Sequence, residues 1–167
     1  RMTSKDHLFI YTTNHGSPTG LCMYDDADLT PSQFDTMLDS LSYDRIIVVM
    51  EQCFSGSFIA QIYGTNRIIL TACSSSEGSW SCDTEGSYDE FVYHFMSAVD
   101  FQTPDGVAVD ADTNDDGKVS MVEAFNYAST HDSRAEHPYY NDDTNGVGHM
   151  APIPNGGDGT VGSTAFL

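Results

Sequence analysis

Residues 45–58, R-I-I-V-V-M-E-Q-C-F-S-G-S-F, predict the central strand of a sheet and the turn that follows it. A run of branched apolar residues from Ile46 to Met50 ends abruptly in Glu-Gln-Cys, and small residues come next. Such a run is typical of a strand that is buried on both faces. Because ligands and reactive groups collect at the carboxyl ends of parallel strands, we expect Cys53 to lie at a functional edge.

A second segment has the same layout. Residues 8–13, L-F-I-Y-T-T, form an apolar β-prone run that is broken by Asn14-His15-Gly16-Ser17. Two neighbouring parallel strands ending in His15 and Cys53 would bring an imidazole and a thiol to one edge. A cysteine nucleophile needs a base that is close in space and usually remote in sequence, so the pair is a candidate catalytic centre.

Strand and helix patterns alternate along the chain. Thr30-Pro31-Ser32-Gln33 predicts a helix start with a capping box, and the run after Cys53 predicts a short helix. Strands followed by helices imply parallel pairing through right-handed crossovers, and hence an α/β fold. The predicted strands are residues 7–13, 45–50 and 67–72, with a short extended piece at 21–24; a loop is predicted at 74–87 and a further helix at 88–99.

Composition excludes one class of function. The chain has 167 residues, 40% of them hydrophobic, which is enough for one domain with a real core. Its net charge of −19 would repel nucleic acid and suits a saline or calcium-rich exterior. The sequence shows no membrane span and no signal peptide, and because it opens Arg1-Met2 we expect its N-terminus to lie upstream.

The four cysteines leave two alternatives open. If Cys53 is a free nucleophile, at most one disulfide can form among Cys22, Cys73 and Cys82. Cys73 and Cys82 are close in sequence and are the best candidates for a pair. The alternative is that all four thiols are reduced.

An acidic loop in the second half matches a calcium-binding pattern. Residues 112–123, D-T-N-D-D-G-K-V-S-M-V-E, place oxygen ligands and a glycine at the positions of an EF-hand loop. The predicted ligands of a structural calcium are Asp112, Asn114, Asp116, the Lys118 carbonyl, Ser120 and Glu123. The alternative is an acidic, solvated loop. Residues 142–146 are a weaker candidate, for which a solvated acidic turn is the expectation.

Three segments together resemble the legumain family of caspase-like cysteine peptidases. Residues 8–20, L-F-I-Y-T-T-N-H-G-S-P-T-G, are similar to its histidine segment, and residues 51–57, E-Q-C-F-S-G-S, to its cysteine segment. Residues 71–82 are similar to the loop that borders its specificity pocket. The resemblance covers about residues 7–95. Each motif alone is short, but their order and their strand contexts make the match specific.

The resemblance implies a caspase-like three-layer αβα sandwich with a mainly parallel sheet. Two features depart from the family: Asn14 stands where the family usually has Asp, and no segment supplies the strands that precede the histidine strand. We therefore expect residues 1–167 to be the C-terminal portion of one peptidase domain. In this division, residues 7–100 hold the catalytic sheet and helices, 101–130 the calcium loop and its helix, and 131–167 an irregular tail.

The resemblance also implies roles for individual residues. Cys53 would attack the scissile carbonyl and His15 would serve the leaving amine as acid, with the N–H groups of Gly16 and Cys53 as oxyanion donors. A thiol at the start of a helix is favoured as thiolate, which agrees with that role. The alternative for Cys53 is a buried structural thiol.

Glu51 lies two residues before Cys53 and so points to the same face of the strand. By resemblance it lines the pocket for the P1 side chain together with Ser79 and Asp89. Two carboxylates there would attract an amide or cationic side chain, so Asn, Arg and Lys are the P1 candidates. The alternative for Asp89 is an exposed residue in the first turn of a helix. The remaining histidines are predicted to be surface or structural residues.

Two functions follow from these observations. The first is a secreted or cell-surface cysteine endopeptidase that is stabilised by calcium and acts on peptides or proteins. The second is a calcium-stabilised pseudopeptidase or binding module without catalysis. In either case the apolar strand at residues 8–13 would expose an unpaired edge. We expect the upstream half of the same domain, or another chain, to cover that edge.

Overall fold

A computed structural model describes residues 2–24, 27–82 and 88–167. The strands are β1 (His7–Thr12), β2 (Gly16–Ser17), β3 (Gly20–Cys22), β4 (Asp28–Leu29), β5 (Arg45–Met50), β6 (Arg67–Thr71) and β7 (Tyr139–Asn141). The helices are α1 (Pro31–Asp39), α2 (Ile59–Ile62), α3 (Glu90–Val99) and α4 (Met121–His131), with 3₁₀ turns at Ser55–Phe58 and Gly162–Thr164. The loop predicted at 74–87 is described as far as residue 82, and residues 83–87 lie outside the described part.

The central sheet has four strands in the order β1-β5-β6-β7. The first three are parallel and β7 is antiparallel to β6. The side chains of β6 and those of residues 46–50 are buried, because helices cover both faces of the sheet. The predicted parallel pairing is confirmed, and the strand that precedes His15 lies beside the strand that precedes Cys53, as expected.

Two apolar clusters fill the space between the sheet and its helices. On one face α3 and α4 pack Phe91, Phe95 and Phe125 against the sheet. On the other face α1 and α2 contribute Leu38 and Ile62, among others. Helices on both faces of a mainly parallel sheet make three layers, which is the αβα sandwich that the sequence predicts.

The helix starts follow their capping residues. Thr30 caps α1, with Gln33 completing the predicted capping box. The helix predicted from residue 88 begins two residues later, because the Asp89 carboxylate accepts the N–H of Val92 and so ends the extended segment at Asp89.

The segment after residue 130 is more ordered than the irregular tail that was predicted. It contributes β7 to the central sheet, and Tyr140 is fully buried there. The expected solvated turn at 142–146 is wrong at its first residue. Asp142 is 2% exposed, and its carboxylate accepts the N–H groups of Gly159 and Gly162. Buried turn amides need an acceptor, and this carboxylate satisfies them.

β2, β3 and β4 form a small antiparallel sheet directly after β1. In the central sheet β1 pairs with β5 on one side, and within the described residues no strand pairs with its other side. Phe9 and Tyr11 on this strand are 38% and 43% exposed. None of the helices in the described part is long and apolar enough to span a membrane.

Candidate active site

The pairing of β1 with β5 brings His15 and Cys53 to one edge of the sheet. Thr12 lies opposite Met50 at the end of the pairing register. His15 and Cys53 are each three residues beyond that last pair. The equal offset follows from two adjacent parallel strands that end level with each other.

A cleft of about 310 Å³ opens at this edge. All the side chains predicted for catalysis and for the P1 pocket line it. The lining residues are Thr13, Asn14, His15, Glu51, Gln52, Cys53, Ser79, Trp80, Ser81, Tyr88 and Asp89. The tertiary structure therefore gathers side chains from the ends of β1 and β5, from the segment at residues 79–81 and from the start of α3.

The Cys53 thiol lies half-buried beside one wall of the cleft. The N–H of Ser79 donates to its sulfur at 3.3 Å, and the thiol points back to the Ser79 carbonyl at 3.8 Å. Phe54 follows in the left-handed conformation, with φ of 59°, and starts the 3₁₀ turn. This reversal leaves the sulfur at the end of β5, facing the cleft.

Gly16 packs directly on the main chain of Cys53. A Cβ atom at this position would overlap the carbonyl oxygen of Cys53. Glycine therefore permits the close approach of the two segments that carry the imidazole and the thiol. The N–H of Cys53 bonds no acceptor among the described residues, so it is available to an oxygen atom in the cleft.

Asn14 has a structural role that the sequence did not reveal. Its side-chain amide donates to the carbonyl of Cys22 at 3.1 Å, and its side-chain oxygen accepts the N–H of His15 at 2.7 Å. The N–H of Cys22 in turn donates to the His15 carbonyl at 2.9 Å. An aspartate at this position could not donate to Cys22, so Asn14 ties the histidine segment to β3 in a way that Asp would not.

The two pocket carboxylates are held differently. Glu51 accepts hydrogen bonds from the hydroxyls of Tyr11 and Thr13. Asp89 accepts from the hydroxyl of Ser79 and from the N–H of Val92 at 3.0 Å. Asp89 is thus the cap of α3 and lies partly buried, rather than being exposed in its first turn.

Burial, with the nearby charge of Glu51 as a smaller contribution in the same direction, raises the pKa of Asp89 to about 7. Burial, together with the hydrogen bond and the charge of Glu51, also raises the pKa of the Tyr11 hydroxyl. At neutral pH the pocket therefore holds Asp89 near the midpoint of its titration. Such a carboxyl can act as donor or as acceptor.

Sequence reasoning missed Trp80 and Glu136. The N–H of Trp80 donates to Glu136 Oε2 at 2.9 Å, although the two residues are far apart in sequence.

The histidines outside the site have aromatic or acidic neighbours, which supports a structural role. His7 pairs with Asp44, His137 with Glu77 and His149 with Asp158, while His94 and His131 lie near each other beside Tyr127.

All four cysteines are free. The pair of Cys73 and Cys82 that the sequence left open does not form here. Both thiols are buried, and burial raises the pKa of each to about 11. Neither thiol is therefore a ready nucleophile at neutral pH.

The calcium-like loop has a turn of the expected shape. Gly117 adopts a left-handed conformation, and the Asp112 carboxylate accepts the N–H groups of Asp116 and Gly117. Glu123, however, bonds Ser120 as the capping box of α4 and also accepts from Asn114. No group of three or more His, Cys, Asp or Glu side chains in the described part could hold a metal ion. Those four residue types do not include three of the six predicted ligands, which are an amide, a hydroxyl and a main-chain carbonyl.

Comparison with known proteins identifies a family. The profile described as the peptidase C13 family matches residues 1–143. The chain is 30% identical over 89 residues to the vacuolar-processing enzyme delta-isozyme of Arabidopsis thaliana, covering 50% of this chain and 19% of that protein. It is 37% identical over 82 residues to the hemoglobinase of Schistosoma mansoni, covering 46% and 19%.

Mouse legumain is 28% identical over 108 residues, covering 59% of this chain and 25% of legumain. The chain thus spans about a fifth to a quarter of the length of the curated relatives that it matches.

Proposed function

Since the chain belongs to the peptidase C13 family, we propose that it is the catalytic portion of a cysteine endopeptidase. One observation carries this proposal: a single cleft gathers the thiol of Cys53, the imidazole of His15 and two carboxylates from separate segments. A nucleophile, a proton carrier and a charged specificity pocket are the parts that peptide hydrolysis through a thioester needs.

The reaction assigns one task to each group. The thiolate of Cys53 attacks the carbonyl carbon of the scissile bond, and the thiol proton passes through His15 to the leaving amine. The N–H groups of Gly16 and Cys53 donate to the oxyanion that forms in this step. Water then attacks the thioester and returns the thiol.

The P1 side chain would lie between Glu51 and Asp89, beside Ser79. We propose Asn or a basic residue at P1. An amide needs one acceptor and one donor, which ionised Glu51 and protonated Asp89 would supply. A basic side chain needs negative charge, which both carboxylates supply when they are ionised.

Calcium is proposed as a structural ion at Asp112, Asn114, Asp116, the Lys118 carbonyl, Ser120 and Glu123. The donor set consists of oxygen atoms, which suits calcium, and the turn at Gly117 has the conformation that such a loop needs. The ion would take over the Glu123 carboxylate from the amide and hydroxyl donors that bond it in this structure.

The unpaired edge of β1, the cleft and the net charge support proposals about partners and location. The unpaired side of β1 would be covered by the upstream half of the same domain or by another chain, and the cleft would receive a peptide or protein substrate. The net charge of −19 suits a secreted or cell-surface protein.

Active-site labelling tests the proposed function. A peptidyl electrophile with Asn or Lys at P1 should modify Cys53 alone, which peptide mass mapping would show. Cys53→Ala should lower peptidase activity by roughly 10⁴-fold or more without unfolding the chain. Cys22→Ala, which removes a partly buried thiol outside the cleft lining, is the matched control and should keep activity.

His15→Ala should cost nearly as much in kcat, because nucleophile and proton carrier act as a unit. His7→Ala, at an exposed histidine that pairs with Asp44, is its control. Unselective labelling, together with full turnover in the Cys53→Ala variant, would instead identify a binding module without catalysis.

A further inference from the structure

One wall of the cleft is held by a residue from a distant part of the chain. The wall is the segment Ser79–Trp80–Ser81. The N–H of Trp80 donates to Glu136 Oε2 at 2.9 Å, and its carbonyl accepts the N–H of Glu90 at 3.0 Å. Trp80 itself is 56% exposed, so few side-chain contacts fix it. These main-chain bonds therefore hold much of the wall in place.

Glu136 has an unusual environment for a carboxylate. It is 6% exposed, and its other oxygen, Oε1, is buried without a donor. Asp132, the residue that ends α4, is within hydrogen-bonding reach of Glu136 and has a buried oxygen, Oδ2, that also lacks a donor. Two ionised carboxylates can only accept, so this contact requires a proton on one of them.

We propose that Asp132 and Glu136 share one proton, and that Glu136 is a positioning residue that holds the cleft wall through the N–H of Trp80 while this proton is bound. The effect on catalysis rests on the proposed peptidase function. The effect on the wall does not.

The charged groups around the pair favour the shared proton. Asp89 and Glu90 face it from the start of α3, Arg134 from the segment after α4, and the buried Cys73 thiol from the end of β6. Arg134 is engaged with Glu90 at 2.6 Å. The carboxylates outnumber the guanidinium, and burial weakens solvation of any charge here.

The pKa of Glu136 follows this environment. Burial, then the charges of Asp89 and Asp132, raise it to about 9. Because the folded state holds the proton more tightly than the unfolded chain does, the contribution to stability is complete below the ordinary glutamate pKa. It is lost progressively as the pH rises towards 9. Two repelling buried carboxylates would then pull Glu136 away from Trp80.

Trp80 is the only tryptophan of the chain, so its fluorescence reports on the wall directly. In the wild type we expect a fluorescence transition at alkaline pH. Glu136→Gln keeps an acceptor for Trp80 and a donor for Asp132, and so imitates the protonated state permanently; its transition should be absent. Glu136→Leu should show, at every pH, the Trp80 fluorescence that the wild type shows only at alkaline pH. Asp100→Asn, an exposed carboxylate at the end of α3, is the control and should titrate like the wild type.

Kinetics on P1 peptides give the second readout. With Lys at P1, whose cleavage does not need a protonated Asp89, Glu136→Gln should match wild-type kcat and KM at pH 6 to 7 and retain activity at alkaline pH, where the wild type loses it. Glu136→Leu should raise KM about tenfold with a smaller change in kcat, because the pocket wall loses a hydrogen bond and not a reacting group. Rescue by Gln but not by Leu would distinguish positioning from simple filling of space.

Two results would overturn the inference. One is a fluorescence transition in Glu136→Gln that has the wild-type midpoint. The other is a Glu136→Gln variant that is as impaired as Glu136→Leu, since the charged form would then be the working one. A chain that shows the predicted fluorescence changes but cleaves no peptide would overturn the proposed function and leave the role of Glu136 intact.

Discussion

Gly16 shows how one missing side chain sets the geometry of the cleft. An added Cβ would overlap the main-chain oxygen of Cys53, and main chain cannot yield as a flexible side chain can. We expect Gly16→Ala to lower kcat/KM by about 100-fold or more and to destabilise the chain by about 1–3 kcal/mol.

Gly78→Ala is the matched control for this change. A Cβ there meets the Cys53 sulfur at an ordinary 3.7 Å, so the fold should be unaffected. Peptide kinetics and urea unfolding would measure both variants. Wild-type stability and turnover in Gly16→Ala would contradict the close approach of Gly16 to the main chain of Cys53.

The titration of Asp89 should change the preference for the P1 side chain with pH. Its pKa near 7 means that it is protonated in acid and ionised in mild alkali. Cleavage after Asn should therefore fall as the pH rises through 7, while the ratio of Lys to Asn cleavage should rise, by roughly tenfold for one added charge.

Asp89→Asn removes this titration and keeps both the cap of α3 and the contact with Ser79. Its ratio of Lys to Asn cleavage should stay flat across pH 5 to 9. A pH-dependent ratio in the variant, equal to that of the wild type, would assign the titration to another group.

At the scale of elements, α4 connects the calcium-like loop to the core. Glu123 is 6% exposed and completes the capping box of α4. Its carboxylate would therefore have to bond both the start of the helix and the proposed ion. Calcium should raise the melting temperature, with a gain in stability of about 2.7 kcal/mol at 100 times the Kd, and chelation should reverse it.

Glu123→Gln separates the two roles, because glutamine still completes a capping box but is a weak calcium ligand. Its melting temperature in chelator should be close to that of the wild type, and the rise with calcium should vanish. Asp105→Asn, outside the loop, is the control. A wild-type chain whose melting temperature ignores both calcium and chelator would rule out the site.

At the scale of the whole molecule, the unpaired side of β1 argues against a stable monomer. An apolar groove of about 270 Å³ adjoins it, and β1 has no internal Lys or Pro to discourage pairing. The groove is lined by Phe9, Tyr11, Tyr88, Val92, Tyr93, Met96 and Pro104. We expect the 167-residue chain alone to be poorly stable or to associate through residues 8–13.

Light scattering and amide exchange on the purified chain would measure this. Phe9→Lys places a charge on the exposed strand and should reduce association; Met37→Lys, at an exposed apolar residue on α1, is the control and should not. A stable wild-type monomer whose outer amides at residues 8–13 exchange fast would show that no covering segment is needed.

The chain's own residue pattern determined the buried strands of the central sheet and the start of α1. Apolar runs at 46–50 and 68–70 specify strands that are buried on both faces, and such strands favour parallel pairing between layers of helix. Polar residues follow both the run at 8–13 and the run at 46–50, and this layout predicted that His15 and Cys53 lie at one edge of the sheet. The capping box at Thr30 is equally local, because its partners are three residues apart.

What only the tertiary structure decided involves groups that no local pattern connects. β7 and the buried Asp142 looked like a polar tail, because acidic residues are normally solvated; here distant backbone amides supply their hydrogen bonds. Asp89 acquired its raised pKa from burial beside Glu51, and Glu136 reached Trp80 across 56 positions of sequence. Burial and long-range contacts set the properties of these carboxyls, and both exist only after the layers have packed.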